Sequence, residues 1–104
     1  MPDFIRVASV SELADPGKML VEVDDRMIAL FRVQGKIYAI DDVCTHDGGE
    51  LAGGAVEGDV VICPRHGARF CLRTGAALTP PAYEPVRTYE TRINDGIVEV
   101  KAPV

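Results

Sequence analysis

No apolar run in this sequence approaches the roughly 18–20 residues that span a bilayer. The most apolar stretch, Met27 to Val33, stops at Gln34-Gly35. No cluster of Lys and Arg exists either: 11 basic residues face 16 acidic ones, a net charge of −5. A phosphate-binding surface needs clustered cations to release counterions, so nucleic acid is not an expected partner. The acidic balance suits solubility and attraction to basic partners. The start, Met1-Pro2-Asp3-Phe4-Ile5-Arg6, lacks the basic-then-apolar pattern of a signal segment. The expected setting is the cytoplasm, where thiols stay reduced. Three Cys is an odd number, which argues against a complete disulfide framework. There is no internal repeat, low-complexity tract or linker, so the 104 residues read as one domain.

What is present is an ordinary globular composition, 47% hydrophobic and 26% charged, which argues against disorder. Short β-prone segments alternate with turn residues. Phe4 to Val7 reads as a first strand, and Ser9 to Lys18 as at most a helical turn followed by a loop. Met19 to Val23, Met27 to Val33 and Lys36 to Ile40 form two consecutive hairpins, punctuated by Asp24-Asp25 and Gln34-Gly35. Val60 to Ile62 and Arg69 to Leu72 are shorter strands. Thr79-Pro80-Pro81-Ala82 cannot lie inside a sheet, because Pro lacks the ladder donor. Val86 to Ile93 reads as one strand, turning at Asn94-Asp95-Gly96 into Ile97 to Val100. The expected fold class is all-β: an antiparallel scaffold from residues 1–40 and 82–104, with a loop-rich subdomain, 41–81, inserted into it. Loops on a rigid scaffold are where function usually sits.

Both His and all three Cys fall within that inserted segment. They stand as Cys44-Thr45-His46, then 16 residues, then Cys63-Pro64-Arg65-His66. Each loop offers one thiolate and one imidazole, and a Gly follows each pair within two residues. Two Cys and two His can hold a tetrahedral zinc ion. Zinc fingers, however, usually keep the two Cys in one loop and the two His in the other. Mixed loops let the thiolates reach one metal and the imidazoles another, which is the ligand set of a [2Fe–2S] centre with two His on one iron.

On these residues the sequence resembles the Rieske ferredoxin family, over nearly the whole chain. The resemblance implies three small antiparallel sheets with an inserted cluster-binding subdomain, and one [2Fe–2S] cluster. It implies that Cys44 and Cys63 bind one iron and that His46 and His66 bind the other, outer iron. Pro80-Pro81 would belong to a proline-rich loop covering the cluster. Rieske proteins of the cytochrome bc complexes carry an extra, disulfide-linked Cys in each loop; Gly49 and Arg65 stand in those places here. Those proteins also place Ser and Tyr hydroxyls near the sulfurs, where this chain has Ala68 and Phe70. Hydrogen bonds to sulfur favour the reduced cluster, so their loss implies a potential near the low end of the Rieske range, about −150 mV.

Phe70-Cys71-Leu72-Arg73-Thr74-Gly75, followed by Pro80-Pro81, is similar to the ferredoxins of biphenyl- and toluene-type dioxygenase systems. The implied role is a one-electron carrier between a flavin-dependent, NAD(P)H-oxidising ferredoxin reductase and a terminal Rieske oxygenase. Such a carrier is expected to need no catalytic residues and no attached catalytic domain. Docking would be transient and partly electrostatic, the default oligomeric state a monomer. The rivals are a Rieske-type small subunit of another oxidoreductase, such as nitrite reductase, and a zinc-stabilised binding module. Cys71, mid-strand and outside both loops, is expected to pack rather than to ligate. Asp41-Asp42, Asp47 and Glu50 form an acidic group beside the first loop, either a solvated face or a docking patch. Backbone N–H groups of Gly48, Gly49 and Gly67 are candidates to face the sulfurs, because Gly permits close backbone approach.

Overall fold

The computed structural model describes residues 4–43, 50–65, 67–80, 82 and 84–101. In chain order the strands are β1 (Phe4–Ser9), β2 (Gly17–Val23), β3 (Arg26–Val33), β4 (Lys36–Asp41), β5 (Val56–Glu57), β6 (Val60–Ile62), β7 (Arg69–Cys71), β8 (Thr88–Tyr89), β9 (Thr91–Asn94) and β10 (Ile97–Lys101). A single 3₁₀ turn, Val10–Glu12, follows β1, and among the described residues there is no helix long and apolar enough to cross a membrane.

Three two-residue turns set the register. Asp24-Asp25, Gln34-Gly35 and Asp95-Gly96 have positive φ at both positions, the geometry whose twist matches the flanking strands. They close β2 on β3, β3 on β4 and β9 on β10. The Asp15 carboxylate accepts the N–H groups of Gln34 at 3.0 Å and Gly35 at 2.7 Å, fixing the second turn from outside.

The strands form three antiparallel sheets, ordered β1-β10-β9, β2-β3-β4-β8 and β5-β6-β7. The second lies in the middle. Alternate residues of β3 point to opposite faces, so Ile28 and Leu30 enter one core while Ala29 and Phe31 enter another. The first core joins them to Leu13, Val98 and Val100 from the terminal sheet side. The second joins them to Ile40, Leu51, Val61, Cys63 and Phe70 on the side of the third sheet. Phe31 and Phe70 are wholly buried there, each contributing about 2–3 kcal/mol of apolar burial. This double burial explains why β3 is the most apolar stretch of the chain.

Two sequence expectations change. Val86 to Ile93 is not one strand: Thr88 pairs with Ile40 in the middle sheet, whereas Thr91 pairs with Val100 in the terminal sheet. The chain crosses between layers at Glu90, where side-chain alternation carries no signal of the change of partner. The two-residue β5 was also not foreseen; it is too short to show a period, and pairing with Val60 and Val61 defines it.

Candidate metal centre

The second loop is built by backbone bonds. It leaves β6 at Cys63, whose N–H donates to the Ala68 carbonyl at 2.7 Å. The Cys63 carbonyl in turn accepts the Gly67 N–H at 3.0 Å. Gly67 has φ +74, which a side chain at that position would resist. The turn exposes Pro64 and Arg65 and directs Cys63 inward, where it is 1% exposed among Ala68, Phe70 and Leu51. The Gly67 N–H is therefore engaged by a carbonyl, which corrects its assignment as a donor aimed at a sulfur.

The first loop is closed differently. Asp42 is 6% exposed, and its Oδ1 accepts the N–H groups of Leu51 at 2.9 Å and Ala52 at 2.7 Å. Its expected place on an exposed acidic face is thus corrected: the carboxylate is spent inside the fold. Asp41 is half-buried and accepts a short hydrogen bond from the Tyr89 hydroxyl, with Arg26 at 3.8 Å; Glu50 is exposed. Burial and the neighbouring Asp41 raise the Tyr89 pKa above its ordinary 10, with Arg26 pulling the other way.

The limb returning from the first loop reaches the strand that carries Cys63. The Gly54 N–H donates to the Leu51 carbonyl and the Ile62 N–H to the Ala55 carbonyl, both at 2.9 Å. Gly54 lies so close to β6 that a Cβ there would sit 1.9 Å from the Ile62 carbonyl oxygen. On the far side of β7, Leu78 donates its N–H to Arg69 at 2.8 Å, and the Thr79 hydroxyl accepts that of Arg69 at 3.0 Å. This pins the approach to Pro80 alongside the second loop.

Of the expected ligands, Cys63 is described; Cys44, His46 and His66 lie outside the described residues, as do Asp47, Gly48, Gly49 and Pro81. Cys63 suits a metal centre: a buried free thiol just past the end of a strand, whose own backbone N–H and carbonyl are both hydrogen-bonded. Cys71 is buried in β7 opposite Val60 but belongs to neither apolar core. The Thr74 hydroxyl lowers its thiol pKa against the opposing effect of burial. Sequence reasoning missed Asp42 and Gly54. The signal for Asp42 was its position, immediately after a strand and just before a ligand loop. Gly54 carried none, because its neighbour Ile62 is distant in sequence.

The Rieske [2Fe-2S] domain family matches residues 3–90. The chain belongs to that family. It is 41% identical over 95 residues to the 3-phenylpropionate/cinnamic acid dioxygenase ferredoxin subunit of Photorhabdus laumondii, covering 90% of each chain. It is 40% identical over 91 residues to the biphenyl dioxygenase ferredoxin subunit of a Pseudomonas species, covering 86% of this chain and 84% of that one. Among solved structures, a ferredoxin-oxygenase complex of carbazole 1,9a-dioxygenase matches with a TM-score of 0.88 at 31% identity, over 94% of this chain and 92% of its counterpart. As a Rieske domain the chain carries one Rieske-type [2Fe–2S] cluster, and it is an electron-transfer component rather than a catalytic enzyme.

Proposed function

We propose that Cys44 and Cys63 hold one iron of the cluster and that His46 and His66 hold the other. On this reading the chain passes single electrons from a flavin-dependent, NAD(P)H-oxidising reductase to a terminal ring-hydroxylating oxygenase, in the cytoplasm. The observation that carries it is the buried Cys63 thiol, set in a backbone-locked turn of a chain that matches dioxygenase ferredoxin subunits nearly end to end. The working division is a scaffold of residues 1–40 and 82–104 around a cluster subdomain, 41–81. It is supported by β5, β6 and β7 forming a sheet of their own, to which Ala77 adds a bridge at Phe70.

When bound, the cluster supplies reversible one-electron storage. The chain's own residues do the rest. Cys63 contributes a thiolate from a water-poor interior. Ala68 and Phe70, both fully buried, offer no hydroxyl toward sulfur, which favours a potential near the low end of the Rieske range, about −150 mV. Exposed Pro64 and Arg65 put the tip of the second loop at the surface, where a brief, small contact suits electron exchange. The acidic contribution to docking loses the buried Asp42 and rests on exposed Glu50, the partly engaged Asp41 and Asp47, which lies outside the described residues.

The test is reconstitution with a candidate reductase and oxygenase, followed by stopped-flow absorbance. The reading expects the reductase to reduce the protein by one electron and the oxygenase to reoxidise it. A protein that neither accepts nor returns an electron with any dioxygenase pair would overturn the reading.

A further inference from the structure

Asp42 is a buried acid that the electron-carrier role leaves without a task. Its backbone is already tied in place: Asp42 donates its N–H to the Met27 carbonyl at 3.0 Å, and Asp41 donates to Arg87 at 2.9 Å. The end of β4 is thus held by β3 on one side and by the segment before β8 on the other. From this fixed point the carboxylate reaches nine and ten residues ahead, to the N–H groups of Leu51 and Ala52. Residues 43–50, which contain Cys44 and His46, lie between these two anchor points. A buried carboxylate is costly unless it is hydrogen-bonded, so the site is built to use both bonds.

The bonds also link the two loops. Leu51 is fully buried and accepts from Gly54; Gly54 packs on the Ile62 carbonyl; Ile62 donates to Ala55 and precedes Cys63. An unbroken run of short contacts therefore leads from Asp42 to the strand that presents the second loop.

We propose that Asp42 is a positioning residue for the cluster: its buried carboxylate closes the neck of the first ligand loop and sets that loop in register with the strand bearing Cys63. This rests on the ligand assignment given under Proposed function. The N–H groups of both Leu51 and Ala52 go to Oδ1, so the return limb meets the end of β4 through this carboxylate.

The test compares holo wild type, Asp42→Ala and Asp42→Asn by chelator-driven bleaching of the visible absorbance and by EPR of the reduced protein. Asn keeps an oxygen able to accept both N–H groups. Asp42→Ala leaves one buried and one part-buried donor unpaired, and we expect bleaching about tenfold faster or more, with shifted EPR features. Asp42→Asn should restore both readouts toward wild type. In wild type, amide exchange at Leu51 and Ala52 should be slow, a measurement that needs no variant to fold. The proposal is overturned if Asp42→Ala matches wild type in bleaching and EPR, if Asp42→Asn is as defective as Asp42→Ala, or if both wild-type amides exchange as fast as exposed Gly53. A wild type without a Rieske signal would overturn the ligand reading together with this one; a wild type with the signal and an indistinguishable Asp42→Ala overturns the positioning role alone.

Discussion

The two loops proposed to carry the ligands are closed by different kinds of bond. The second is a backbone turn, with Cys63 bonded to Gly67 and Ala68 through main-chain atoms alone. Among the described residues, the first is shut by one side chain, Asp42, acting on Leu51 and Ala52. A backbone turn depends on conformation and tolerates most side-chain changes outside its glycine. A side-chain latch depends on one carboxylate and fails when that group is removed. Among the described residues, the same subdomain thus anchors one loop through several main-chain atoms and the other through a single carboxylate.

Substitutions should expose that contrast, and the largest effect belongs to the cluster itself. Cys63→Ser should yield protein with little or no bound iron, whereas Cys71→Ser, outside both cores, should keep wild-type iron; iron and sulfide assays on the purified proteins decide it. Equal loss in both would assign Cys71 a role that its position in β7 does not suggest.

Next in size is the close approach that joins the loops. Gly54→Ala places a Cβ against the Ile62 carbonyl and should cost about 2–3 kcal/mol, read as a lower midpoint in chemical denaturation. Gly67→Ala meets no atom within 4 Å and is opposed only by its positive φ. Its cost should be near 1 kcal/mol, about 4–8 °C in melting temperature for a domain of this size. If the order of these two were reversed, the backbone turn rather than the inter-loop contact would be the sensitive joint.

The smallest effect lies at the edge of the site. The folded-state pKa of Tyr89 is raised, so its contribution to stability is present below the unfolded value near 10 and is lost as pH rises through the folded value. Wild type should therefore lose more stability than Tyr89→Phe between about pH 9 and pH 11. Parallel melting curves with no difference between the two proteins would contradict this.

Much of the molecule was legible in the sequence because the information was local. Turn pairs such as Gln34-Gly35 and Asp95-Gly96 mark hairpins by their own chemistry, and the apolar run in β3 announces a strand buried on both faces. The Cys-x-His and Cys-x-x-His pairs carried the family. What escaped were relations between distant residues. Thr88 and Thr91 look alike in sequence yet pair in different sheets. Asp42, between another Asp and Val43, reads as part of a solvated acidic group until its bonds to Leu51 and Ala52 are seen. Gly54 looks like one more loop glycine until β6 is laid against it.

The central claim is that this Rieske domain binds its [2Fe–2S] cluster through two thiolates and two imidazoles. Pulsed EPR of the dithionite-reduced, purified protein tests it most directly. The account predicts a Rieske-type signal with two coordinated imidazole nitrogens, from protein holding two irons and two labile sulfides per chain. A colourless protein with one zinc per chain, or a reduced cluster showing no nitrogen coupling, would contradict it.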